Sequence, residues 1–78
     1  MLLSRAVRKR IENMMKDKKI TLNKLSTLSG ITQSTLNSFM SGQSNSPRLV
    51  TILHICEGLN IDLKEFFDDP IFNNVEED

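Results

Sequence analysis

An all-α fold of five short helices is what the sequence predicts, on three observations. Apolar residues recur three and four positions apart along most of the chain, no segment alternates with period two, and capping residues and terminators divide the chain at short intervals. Leu3, Val7, Ile11 and Met14 form one stripe of a first helix, expected from Leu3 to Asp17 and closed by Asp17-Lys18-Lys19. Arg5, Lys9, Glu12 and Lys16 lie on another face. Thr21 can cap a second helix through its hydroxyl, with Leu22, Leu25 and Leu28 as its apolar positions. Gly30 stops it, because glycine enters the left-handed region freely. Thr32 caps a third helix with Leu36, Phe39 and Met40 turned inward, and Gly42 ends it. A polar loop from Gln43 to Ser46 closes with Pro47 at the start of a fourth helix. That helix runs from Arg48 to about Leu59, with Leu49, Ile52, Ile55, Cys56 and Leu59 as its core stripe and Asn60 as terminator. Asp62 caps a short fifth helix whose Leu63, Phe66 and Phe67 point inward, and Asp69-Pro70 ends it.

At 78 residues the chain has room for one domain with a thin core. We take residues 1–69 as that domain and 70–78 as a short acidic tail. There is no Trp or Tyr, so Leu, Ile, Val, Met and four Phe supply the core. A single Cys excludes an internal disulfide, and with one His it cannot build a zinc site. No apolar run approaches a membrane span, and the first residues lack a signal peptide's apolar stretch. A cytoplasmic protein without cofactor or metal is expected. The chain is also too small for most pockets with a catalytic shell, so no enzymatic activity is expected.

The net charge of zero hides an asymmetry. Residues 1–61 carry nine basic side chains against three acidic, a balance of +6, while residues 62–78 carry Lys64 against seven acids, a balance of −6. A basic body suits a polyanionic partner; a solvated surface with a frayed acidic end is the plainer alternative.

The most informative stretch carries no charge at all. From Gly30 through Pro47, eighteen positions hold eleven Ser, Thr, Asn and Gln. The outer face of the third helix is Gln33, Ser34, Thr35, Asn37, Ser38 and Ser41. These short side chains both donate and accept hydrogen bonds, which is what base edges in a DNA major groove require. A carboxylate there would meet phosphates. A Ser/Thr-rich linker would show the same composition, but not the bounded apolar set Leu36, Phe39, Met40 and Gly42.

The run from Thr21 to Gly42 resembles the helix-turn-helix of the Cro/CI-type (XRE) repressor family. Leu25 stands at the inward position of the first motif helix and Ser26 where the two helices touch. Gly30 is the turn glycine, Ile31 the apolar residue after it, and Leu36 with Phe39 the inward pair of the recognition helix. Pro47, Leu49, Ile52, Ile55, Cys56, Leu59 and Ile61 follow the family's fourth-helix pattern, so the resemblance extends over roughly Val7 to Phe67. It implies a lambda-repressor-like five-helix fold and a transcriptional regulator, a repressor of bacterial or phage type, that binds double-stranded DNA as a homodimer. Gln33, Ser34, Thr35, Asn37 and Ser38 are then the expected base contacts. Thr21, Asn23, Ser41, Gln43, Asn45 and Arg48 are the expected backbone contacts. No small-molecule effector and no membrane partner are expected. The chain departs from the pattern at Leu22, where relatives often hold a phosphate with Gln, and at Met15, where a basic residue is common.

Other candidates read more plainly. His54 has no partner at a triad or metal spacing, and Cys56 reads as a small core filler. Val50 and Leu53 fall away from the core stripe and suggest a dimer or partner surface. Ile71 and Phe72 join them, because they follow Pro70 with no helix left to pack from. A protein-interaction module on the same fold, such as a partner of a toxin or a larger regulator, is the alternative function. A small hydrolase is the remoter one.

Overall fold

The computed structural model describes residues 1–43 and 47–78. The chain forms α1 (Leu3–Lys18), α2 (Leu22–Ser29), α3 (Gln33–Met40), α4 (Leu49–Leu59) and α5 (Leu63–Phe67), followed by a 3₁₀ turn over Pro70–Phe72. No strand occurs among the described residues, and the one β-type contact is an isolated parallel bridge between Leu2 and Glu76.

Local chemistry sets most helix ends. Lys19 takes a left-handed conformation after α1, at φ 56°. The Thr21 hydroxyl accepts from the Lys24 amide at 3.1 Å, and Gly30 leaves α2 at φ 71°. Thr32 accepts from the Thr35 amide at 3.2 Å to start α3. Asn60 ends α4 at φ 59°, and the Asp62 carboxylate accepts from the Glu65 amide at 2.7 Å to start α5. Each side-chain cap satisfies a first-turn amide that has no partner inside its helix.

The core joins all five helices: Val7, Ile11 and Met14 of α1, Leu25 of α2, Leu36 and Phe39 of α3, Ile52, Ile55, Cys56 and Leu59 of α4, and Phe66 of α5. Burial of Cys56, and then the negative charge of Asp62, push its thiol above the ordinary value. It stays protonated and acts as a packed apolar group. At Gly58 the backbones of α2 and α4 come so close that a Cβ would lie 2.9 Å from the Ser29 nitrogen.

Several sequence expectations need correction. Leu3, Leu28 and Leu49 were expected on core stripes, yet they are 44, 45 and 64% exposed. Each sits at the edge of its helix's inward face, where a thin core has no partner left to cover it. Phe67 was expected inward and is 36% exposed. Phe72 was expected to lack cover within the chain, yet it packs on the core beside Phe66 and Phe67, with ring centroids 6.0 and 5.0 Å away. Ile71 is half-buried. The reason is the turn at Pro70. The Asp69 side chain accepts from the Ile71 amide at 2.8 Å and bends the chain back toward α1.

The acidic tail is also docked rather than frayed. The Leu3 amide donates to the Glu76 carbonyl and the Glu76 amide to the Met1 carbonyl, both at 2.9 Å. α1 has no side-chain cap of its own at Leu2. Asp78 supplies one instead, accepting from the Ser4 amide at 3.0 Å and from the Ser4 hydroxyl. No helix among the described residues is long and apolar enough to cross a membrane.

Candidate nucleic-acid interface

Burial of Leu36 and Phe39 against the core decides which face of α3 meets solvent. Ser34, Asn37, Ser38 and Ser41 face the opposite side, and Gln33, three positions before Leu36, stands on the flank at the start of the helix. Gln33, Ser34, Asn37 and Ser41 are exposed and Ser38 is half-buried. The side chains of Gln33, Ser34 and Asn37 make no hydrogen bond with any described residue. All three are exposed, so among the described residues their donors and acceptors face solvent. Thr35 differs. It is exposed, but its hydroxyl accepts from the Thr32 hydroxyl at 2.8 Å and is held in the cap. Ser41 donates to the Ser38 carbonyl at 3.1 Å.

The helix-turn-helix geometry rests on a few contacts. The Ser26 hydroxyl donates to the Ile31 carbonyl across the turn, tying α2 to the residue before the α3 cap. The Gly30 amide donates to the Ser26 carbonyl at 3.0 Å. At the other end of α3 the Gln43 amide donates to the Ser38 carbonyl at 3.1 Å.

The expected backbone-contact residues are spread around this face. Thr21 and Asn23 are exposed at the start of α2, although the Thr21 oxygen is used as a cap. Gln43 is exposed, and Asn45 lies outside the described residues. Arg48 is brought to α3 itself. A cleft of about 440 Å³ is lined by Ser34, Thr35 and Ser38 on one side and by Pro47, Arg48 and Thr51 on the other. Arg48 precedes α4 without capping it.

Two residues near this face were not singled out from the sequence. Thr51 joins the cleft because it lies three positions after Arg48, on the same side of α4. Arg8 has its guanidinium 6.0 Å from the centroid of the Phe39 ring and beside Gly42. No sequence spacing links Arg8 to α3, since the contact is purely tertiary. Val50 and Leu53, expected as a partner surface, are 49 and 39% exposed on α4. Leu3, Leu49 and Phe67 line an apolar cavity of about 220 Å³ at the start of the same helix. Among the described residues, no group of three or more His, Cys, Asp or Glu side chains could hold a metal ion.

The family described as the Cro/C1-type HTH DNA-binding domain matches residues 10–70. Among solved structures, the crystal structure of the prophage Lp1 protein 11 is 33% identical, covering 96% of this chain and 100% of that one, with a TM-score of 0.82. No curated protein matches the chain.

Proposed function

Since the chain belongs to the Cro/C1-type helix-turn-helix DNA-binding family, we propose that it is a sequence-specific transcriptional regulator, acting as a repressor of phage or bacterial type. In this reading α3 enters the major groove. The observation that carries the proposal is the exposed, uncharged stripe on α3 whose Gln33, Ser34 and Asn37 side chains make no hydrogen bond with any described residue. Gln33, Ser34, Asn37 and Ser38 contact base edges, and Thr35 contributes through the edge of the cap. Thr21, Asn23, Ser41, Gln43, Asn45 and Arg48 hold phosphates. Arg48 and Thr51 face α3 across the cleft, where a backbone flanking the groove would run.

Gln33 stands at the N-terminal end of α3, the end that reaches deepest into a groove in this docking mode. A good bidentate Gln–adenine pair contributes about 1–3 kcal/mol of discrimination. Gln33→Ala should therefore weaken binding to a selected operator by about 1–2 kcal/mol and relax preference at one base pair. Fluorescence anisotropy on selected and scrambled duplexes reads this. An equal loss on both sequences would assign Gln33 to phosphate instead, and no duplex binding at ~50 mM salt would remove the DNA reading.

We further infer a homodimer, because one small module offers a limited footprint. Val50 and Leu53 form its surface, with Ile71 at the margin and Phe72 withdrawn into its own chain. A two-fold pair would present two α3 helices to successive major grooves about 34 Å apart. Sedimentation at ~100 μM, far above the ~1 μM that corresponds to about −8.2 kcal/mol, should show a dimer that Leu53→Asp converts to monomer. A monomeric wild type at that concentration excludes the dimer. The same exposed α4 face favours the second reading, in which Val50 and Leu53 receive another protein.

A further inference from the structure

A second cationic surface lies on α1, apart from the recognition helix. Arg5, Arg8 and Lys9 line one cleft of about 300 Å³ together with Met1 and Glu12. Glu12 offsets only Lys9, at 3.8 Å. Arg8 extends this cleft toward the recognition helix, since its guanidinium sits beside Phe39 and Gly42 at the C-terminal end of α3. The cleft therefore borders the proposed DNA face.

The acidic segment 73–78 is fastened to the same end of α1. Met1 both lines the cleft and accepts from the Glu76 amide. The Ser4 hydroxyl and amide hold the Asp78 carboxyl below the usual carboxylate range, and the positive charge of Arg8 adds to this. Glu76, Glu77 and Asp78 are all exposed. Four hydrogen bonds to residues 1–4 and one half-buried side chain, Val75, hold this strap. Such a sparse attachment opens far below the cost of unfolding the core.

We propose that the Arg5–Arg8–Lys9 cleft is a second surface for duplex DNA phosphates, screened by the carboxylates of the 73–78 strap, which acts as an electrostatic brake on binding. The inference rests on the DNA-binding reading above. A phosphodiester backbone drawn to Arg8 meets the negative charge of Asp78, which the Ser4 bonds hold within electrostatic reach of that guanidinium. Removing those charges, or lifting the strap, lets the cations release additional counterions from the DNA.

The test is the triple variant E76Q/E77Q/D78N, which removes charge and keeps hydrogen-bonding capacity. It is expected to bind duplex about three- to tenfold more tightly at ~50 mM salt, with a salt slope steeper by about 0.9 for each phosphate recruited. Adding R5Q and K9Q to that variant should return both quantities to wild-type values. Glu77 makes no hydrogen bond with any described residue, so Glu77→Gln keeps the fold and should give a smaller gain in the same direction. Equal affinity and slope in the charge variants, or a gain that survives R5Q/K9Q, overturns the brake while leaving DNA binding intact. Failure of wild type and variants alike to bind any duplex overturns the DNA reading and the brake with it.

Discussion

Arg10→Ala is expected to lower unfolding stability by about 2–4 kcal/mol, the largest effect of any single charged side chain in the molecule. Its guanidinium is a staple between α1 and the end of α5. Nε donates to the Phe66 carbonyl at 2.8 Å, Nη2 to the Glu65 carbonyl at 2.9 Å, and Nη1 to the Asp69 carboxylate at 2.9 Å. The Arg10 and Asp69 side chains are only 13 and 27% exposed, so water replaces the bonds to Phe66 and Asp69 poorly, whereas the bond to Glu65 is exposed. Asp69 also caps the Pro70 turn that lays Phe72 on the core. Removing the cation takes the Arg10 bonds from the Phe66 carbonyl and the Asp69 carboxylate, and loosens that turn with them, while the Glu65 carbonyl keeps the Asp68 amide. Arg10→Lys should recover little, because an ammonium cannot span three acceptors with a planar fork. For a domain of this size the loss corresponds to a melting point lower by about 8–32 °C. Denaturant unfolding that places Arg10→Ala within ~0.5 kcal/mol of wild type, the range of ordinary surface changes, would refute the staple.

Gly58→Ala should cost about 2–3 kcal/mol, within the range of overpacked cores, where the same change in an exposed helix interior would gain roughly 1 kcal/mol. The added Cβ would lie 2.9 Å from the Ser29 nitrogen and 3.0 Å from both the Leu28 carbonyl carbon and the Ser29 Cα. All three are backbone atoms and cannot rotate away. α2 has to move, and with it the turn that positions α3, so DNA affinity should fall with stability. A neutral or stabilised Gly58→Ala protein in calorimetry would show that the two helices can separate without penalty.

Much of the fold was legible because its signals are local. Thr21, Thr32 and Asp62 cap their helices through bonds to residues three positions away, and such bonds depend on nothing remote. Gly30 and Asn60 end helices through their own backbone preferences. The expected DNA face was equally local, since helical periodicity alone sets Leu36 and Phe39 opposite Ser34, Asn37 and Ser41. Leu3, Leu28 and Leu49 were misread because periodicity gives the direction of a side chain and not whether a neighbour covers it.

By itself the sequence determined the helix count, the caps, the turn glycine and the uncharged face of α3. Each follows from interactions within a few residues, where chain connectivity already holds the partners together. Only the tertiary structure decided that Arg10 joins α1 to Asp69, that Gly58 is the point where α2 and α4 touch, and that Asp78 caps α1 from 74 positions away. These contacts depend on how helices cross and on where the tail returns. Packing of the whole core settles both, and Phe72 and Asp78 carry no local signal of the partners they meet.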